Sequence, residues 1–303
     1  MSTCCGGSGH RAAHGGGGGC CQSKVTDTDD RGGCCGGKKG VIIDNESKTK
    51  AKSAIQDVLS KKKTMLDIVE ELGPKLTDSN VDMRLNSVIY LTEVLVGLPT
   101  DFLLTEEVAA LLTFFTARLQ DSILLLSSTL KSLQFLISCH QFPLDVESTL
   151  VMALFKEVNA QSCAQEDRYR FYQIIKSLLI NRLESIRAVS IDFVLGFIQA
   201  IEGEKDPRCL LLVFDLFATI SRSLNFDPLV DDMFEVVACY FPISFEPPPN
   251  DPYGIRSEDL SKSLRGCLTS HRKFAPLCAQ LLEEQLREDS ITTKRESLVL
   301  LYA

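Results

Sequence analysis

Twelve cysteines and four histidines are the residues with the most chemistry to offer, and their spacing decides what they can do. Six of the cysteines stand as the pairs Cys4-Cys5, Cys20-Cys21 and Cys34-Cys35, close to His10 and His14. A tetrahedral metal site wants ligands set apart as in C-x-x-C, because adjacent cysteines cannot readily turn both thiolates onto one ion. No C-x-x-C occurs. Paired cysteines in a flexible tail are also open to acylation, but Ser2 rather than glycine follows Met1, so no myristoylation signal accompanies them. The tail reads as chemically inert. Cys139, Cys163, Cys209, Cys239, Cys267 and Cys278 stand singly, mostly within apolar stretches, where a free thiol packs as a small hydrophobe.

The motifs of catalysis are absent: there is no G-x-x-x-x-G-K-[ST], no H-E-x-x-H and no G-x-S-x-G. His140 and His271 fall near expected helix C-termini, where a cationic ring complements the helix dipole. Phe114-Phe115, Phe193-Phe197 and Phe214-Phe217 lie at helical spacing and read as core. No catalytic, metal-binding or cofactor-binding residue emerges, and an enzyme is not expected.

Behind these residues stands a chain of 303 residues, 45% apolar, with a net charge of −8. Residues 1–40 carry five Lys/Arg and three Asp/Glu, which leaves the remainder at −10. That acidity argues against direct nucleic-acid binding and against adhesion to anionic membranes. The longest uncharged run, Ser132 to Leu144, is 13 residues and too short to span a bilayer. The N-terminus lacks the apolar core of a secretory signal, so a cytoplasmic or nuclear protein with reduced cysteines is expected.

Thirteen of the 19 glycines fall within residues 1–40, and such a stretch cannot bury apolar surface. Residues 1–50 are therefore read as a disordered Gly/Cys-rich tail and linker, with residues 51–303 as the folded part. From Ala51 on, apolar residues recur at helical intervals. A first segment, Thr64 to Leu72, is expected to stop at Gly73-Pro74. Leu85, Val88, Ile89, Thr92 and Leu95 continue the pattern, which is expected to close at Gly97 and Pro99. Further helices are expected at about 105–119, 122–140, 145–158, 165–183, 186–202, 207–224, 229–241, 257–270, 275–287 and 291–302. Asp82, Asp121, Asp167 and Asp206 stand near the heads of such helices at separations of 39, 46 and 39 residues. Asp206-Pro207 and Asp227-Pro228 pair a capping carboxylate with a proline at the first helical position. Two helices per period of about 40 residues is the pattern of HEAT and armadillo arrays. The fold class is all-α: an α-solenoid of paired antiparallel helices, each pair completing its core on its neighbours.

Two segments stand apart from this pattern. One runs from Phe241 to Arg256 and carries Pro242, Pro247, Pro248, Pro249 and Pro252, none of which suits a helix interior. Glu246 to Pro249 reads as a polyproline II strut, and Asn250-Asp251-Pro252 with Tyr253-Gly254 adds turn chemistry. Ser257-Glu258-Asp259 then offers a capping hydroxyl and first-turn acids to the next helix. The other segment is the charged turn Glu202-Gly203-Glu204-Lys205-Asp206-Pro207-Arg208 between two apolar helices. The proline loop serves equally as a strut fixing one repeat against the next or as a contact surface, whereas the charged turn reads first as a well-capped, solvated joint. The candidate protein-binding residues are Glu204, Lys205, Arg208, Pro248, Pro249, Asn250, Asp251 and Tyr253.

These segments, with Gly196-Phe197-Ile198-Gln199 and the run Tyr240-Phe241-Pro242-Ile243 through Pro247-Pro248-Pro249-Asn250-Asp251-Pro252 to Gly254-Ile255, resemble the N-terminal domain of the Mms-nineteen family. The similarity covers roughly residues 60–303. These are HEAT-repeat adaptors linked to DNA repair, transcription and cytosolic iron–sulfur protein assembly. The resemblance implies a scaffold whose partners are the iron–sulfur assembly targeting subunits and client helicases and polymerases, with the cluster handed over by those partners. The Gly/Cys tail has no counterpart in the resemblance. Family members are much longer, and this chain stops inside an expected helix at Leu300-Leu301-Tyr302-Ala303, so the solenoid is expected to be truncated there. Periodicity by itself also admits a generic α-solenoid interaction protein of transport or trafficking.

Overall fold

The computed structural model describes residues 45–249 and 253–302. The expected disorder of residues 1–40 lies outside the described residues. Among the described residues the chain forms fourteen α-helices, three short 3-10 turns and no β-strand. The first half holds α1 (Asn45–Leu59), α2 (Met65–Leu76), α3 (Val81–Val96), α4 (Thr105–Arg118), α5 (Ile123–Ser138), α6 (Glu147–Glu157) and α7 (Gln165–Asn181). The second half holds α8 (Leu183–Arg187), α9 (Ser190–Ile201), α10 (Pro207–Ser223), α11 (Val230–Ala238), α12 (Ser257–Leu268), α13 (Ala275–Arg287) and α14 (Ile291–Leu301).

The helices form two rows. In one, α1, α3, α5, α7, α10 and α12 each pack on the next; in the other, α4, α6, α9, α11 and α13 do the same. This is an all-α solenoid. Each helix buries one stripe, such as Leu85, Val88, Leu91 and Leu95 of α3 or Phe171, Ile174, Ile175 and Leu178 of α7, and these stripes join into one continuous core. Burying a side chain of this size contributes about 1.5–3 kcal/mol. Side chains repeat the period as well. Ser132 donates to the Thr92 hydroxyl 40 residues back at 2.9 Å, both fully buried, and Gln134 donates to Gln173 39 residues on at 2.9 Å. Lys131 pairs with Glu93 at 2.7 Å and Lys176 with Asp215 at 2.7 Å across the same interval.

Several local expectations are corrected. α1 starts at Asn45, inside the expected linker; its opening residues Asn45 to Lys50 are all polar and so carry no apolar periodicity that would mark a helix in the sequence. α2 runs through Gly73-Pro74 to Leu76. The proline falls in its last turn, where one lost hydrogen bond ends the helix soon after without breaking it earlier, and the Thr77 hydroxyl donates to the Gly73 carbonyl. Of the four periodic aspartates only Asp206 is an N-cap. Asn80 and Ser122 cap α3 and α5, and Asp82 and Asp167 sit within first turns. Asp121 instead pairs with Arg84 at 2.6 Å, which binds one repeat to the next.

Asp227 opens a 3-10 turn and pairs with Lys273, while α11 starts only at Val230. At α12 the Ser257 hydroxyl is not the cap; the Asp259 carboxylate reaches back to accept from the Arg256 amide at 3.0 Å. His271 accepts at Nδ1 from the Lys273 amide at 3.2 Å, so its ring caps the start of the 3-10 turn Arg272–Phe274 rather than the end of a helix. The expected helix 186–202 is broken between α8 and α9, where Ile186 turns into the core and Arg187 donates to the Ser223 carbonyl.

Candidate functional site

The charged turn between α9 and α10 is built around a buried carboxylate. Gly203 takes φ +78°, a left-handed value that glycine adopts without the Cβ penalty, and so swings Glu204 inward. Glu204 is 1% exposed. Its carboxylate accepts from Arg168 Nε at 2.9 Å, from Arg168 Nη2 at 3.3 Å and from the Tyr172 hydroxyl at 3.1 Å. The amides of Lys205 and Asp206 add two further bonds at 3.0 Å each. A carboxylate so deeply placed needs this full set of donors, because an unpaired buried charge is costly. Burial and the Glu204 charge together push the Tyr172 hydroxyl pKa well up, so the phenol stays a donor.

Asp206 caps α10, accepting from the amides of Arg208 at 3.0 Å and Cys209 at 3.2 Å. Its other oxygen accepts from Arg208 Nη2 at 2.8 Å. Burial pushes the Asp206 carboxyl up, but Arg208 and the capping amides outweigh it and hold it below the usual carboxylate range. The Asp206 hydrogen bond in turn raises the Arg208 guanidinium against the opposing effect of burial. Arg208 is thus fixed at the surface, and its guanidinium lies 4.2 Å from the centre of the Tyr253 ring.

Tyr253 belongs to the proline loop, so the structure brings the two outlying segments together. The loop is rooted by buried Tyr240, Phe241, Phe245 and Ile255. Between the last two, Glu246, Pro247 and Pro249 are exposed and Pro248 is half-buried. Tyr253 is 59% exposed, and Gly254 turns the chain back at φ +64°. Asn250 and Asp251 lie outside the described residues. Of the remaining sequence candidates, Lys205 is exposed and Arg208 half-buried, whereas Glu204 is corrected from a solvated surface residue to an interior one. Arg168, Tyr172 and Tyr240, which position the turn, escaped the sequence reading as site residues. Their signal was spacing, since Arg168 and Tyr240 each stand 36 residues from Glu204, one repeat away on either side.

Among the described residues no three His, Cys, Asp or Glu side chains cluster as metal ligands. Burial pushes the Cys139 and Cys278 thiols up to about 11, and the Cys209 and Cys267 thiols higher still, which disfavours the thiolate that metal or nucleophilic chemistry requires. No helix among the described residues is long and apolar enough to cross a membrane.

Residues 69–303 match the MMS19_N family, described as Dos2-interacting transcription regulator of RNA-Pol-II. The chain belongs to this family. Both segments of the candidate surface fall inside the matched range. The MMS19 nucleotide excision repair protein homolog of Homo sapiens is 40% identical over 248 residues, covering 82% of this chain and 24% of that protein. The DNA repair/transcription protein mms19 of Schizosaccharomyces pombe is 30% identical over 246 residues, covering 80% of this chain and 24% of that one. The MMS19 nucleotide excision repair protein of Drosophila melanogaster is 29% identical over 264 residues, covering 87% and 28%. The chain therefore spans about a quarter of the length of the curated relatives it matches.

Proposed function

We propose that this chain is a non-catalytic protein-docking scaffold in DNA repair and transcription. The observation that carries the reading is the Arg208–Tyr253 stack at 4.2 Å, which joins two segments 45 residues apart into one exposed, chemically mixed surface. Cation–π pairs of this kind are worth about 0.5–1 kcal/mol at exposed sites, enough to hold an aromatic ring ready for a partner. An exposed tyrosine backed by a half-buried arginine offers the residue types that dominate protein-binding hot spots. Lys205 lies on the same turn as Arg208, and Pro248, Pro249, Asn250 and Asp251 belong to the same loop as Tyr253. Glu204 acts from beneath by fixing the turn. The relatives' names, nucleotide excision repair and DNA repair/transcription, supply the process.

Within the whole protein, the family resemblance points to a finer role. The scaffold joins the cytosolic iron–sulfur assembly targeting subunits and brings them to apo-helicases and apo-polymerases, in cytoplasm and nucleus. The cluster is cargo passed on by those partners, and this chain contributes recognition only. Affinity purification of the full-length protein tests both levels. Co-elution of assembly factors and iron–sulfur helicases, with at least one lost on Arg208→Ala or Tyr253→Ala, is the expected result. Recovery of transport factors alone would sink the adaptor reading, and unchanged partners in both variants would remove the stack from the binding surface.

A further inference from the structure

Three successive repeats each expose one large aliphatic side chain at the edge where one helix pair passes to the next. Leu104, just ahead of α4, is 65% exposed; Leu144, in the loop before α6, is 75% exposed; Ile180, in the last turn of α7, is 59% exposed. The three loops are held side by side. The His140 amide donates to the Thr100 carbonyl at 3.1 Å, and the Thr105 hydroxyl donates to Gln141 Oε1 at 3.4 Å. Arg182 pairs with Glu147 at 3.4 Å and lies over the Phe142 ring. Asp145 stands at φ +64°, a left-handed conformation that aspartate tolerates better than most residues, at the exposed tip beside Leu144.

The charge beside Leu104 and Leu144 has one sign. Residues 97–117 and 139–155 contain five acidic residues and no lysine or arginine. Asp101, Glu106 and Asp145 are exposed beside the leucines, while Glu107 accepts from the Leu104 amide and Glu147 is turned inward. In the third repeat, Arg182 and Arg187 are committed to Glu147 and Glu184. A row of exposed aliphatics set among unopposed carboxylates repels nucleic acid and anionic lipid, and complements a polypeptide that is apolar and basic.

We propose that this edge docks a basic amphipathic helix of a partner protein, with apolar residues seven apart and lysines or arginines beside them. α4 and α6 stack on each other, and stacked helices lie about 8–10 Å apart, which sets the interval between Leu104 and Leu144 ahead of them. Seven residues of α-helix advance about 10.5 Å and return nearly to the same face. An extended strand covers that distance in three residues and has by then turned its side chain to the opposite face. The docking surface is separate from the Arg208–Tyr253 pair and does not rest on it.

Fluorescence anisotropy with the whole chain and a synthetic helix of about three heptads tests this directly. The probe carries leucine at every seventh position flanked by lysines; a second probe replaces lysine by glutamate, and a third is a proline-rich peptide of the same charge. The lysine helix binds and the glutamate helix does not. Leu104→Ser with Leu144→Ser weakens binding at least about tenfold. Asp101→Asn, Glu106→Gln and Asp145→Asn together, which leave the leucines in place, weaken it and flatten its salt dependence. No binding of the lysine helix, equal binding of the glutamate helix, or affinity unchanged in both variants overturns the proposal. Binding of the proline-rich peptide instead of the helix overturns the helical occupant.

Discussion

Tyr240 donates its hydroxyl hydrogen to the main-chain carbonyl of Glu204 at 2.7 Å, across 36 residues of sequence. The bond ties the root of the proline loop to the charged turn of the preceding repeat. The Glu204 side chain, on the far side of the same residue, holds Arg168 and Tyr172 of the repeat before that. One residue thus clamps three repeats, and both halves of the candidate surface rest on it.

Glu204→Ala is expected to destabilise the fold by about 3–5 kcal/mol, because Arg168 is left with a largely buried and unpaired charge. Tyr172→Phe should cost only about 0.5–1.5 kcal/mol, as a single hydrogen bond is lost. Urea denaturation followed by circular dichroism measures both. A loss under 1 kcal/mol for Glu204→Ala would show the clamp to be dispensable.

The helices were legible because apolar periodicity and proline or glycine at their ends are local signals, and Pro207 with Asp206 marked α10 to the residue. α1 was not, since its first turns are polar. The pairing of the two candidate segments was half legible: both stood out by composition, but the Arg208–Tyr253 contact depends on tertiary folding. Glu204 was misjudged for a physical reason. Amid Glu202, Lys205 and Arg208 it looks like one more solvated charge, and its distant partners Arg168 and Tyr172, with two local amides, allow it inside.

Acid should unfold the protein partly through Asp206 and Asp121. Burial acts to raise Asp206, but Arg208 and the capping amides hold it low; the Arg84 hydrogen bond lowers Asp121. A carboxyl depressed in the folded state adds stability above its unfolded value of about 3.9, and that stability fades as pH falls through the folded value. Stability from urea titrations should therefore be flat above about pH 5 and decline below it. Asp206→Asn keeps a capping side chain but not the titration, so it should be less stable at neutral pH and show a shallower acid decline. An unchanged acid limb would contradict the assignment.

Gly196→Ala tests the packing of α9. A Cβ there would stand 2.6 Å from Phe155 ring carbons, and that ring is itself wedged edge-on against Phe171 and Phe193. Overpacking of this kind costs about 1–3 kcal/mol. Gly203→Ala meets open space but a left-handed backbone, with a cost of about 1–2 kcal/mol. Thermal melts should place both below the parent, and restoring room with Phe155→Leu should recover stability for Gly196→Ala alone.

The last test separates surface from support in the candidate site. Tyr253 is exposed and rests on Arg208, so removing its ring alters what a partner meets while leaving the core intact. Tyr253→Ala should leave the melting temperature within a few degrees of the parent, since exposed substitutions usually stay within about 0.5 kcal/mol, and the triple variant with Asn250→Ala and Asp251→Ala is expected to do the same. The same variants should weaken capture of at least one assembly factor or client by about tenfold, the loss typical of a hot-spot side chain. Arg208→Lys keeps the charge but loses the flat stacking face and the two-pronged hold on Asp206, so it should behave as a milder form of the same defect. Pro248→Ala and Pro249→Ala should instead relax the loop, raising its protease sensitivity before they alter binding. Full partner capture by the triple variant, with an unchanged melt, would leave the loop as a strut and move recognition elsewhere in the longer protein.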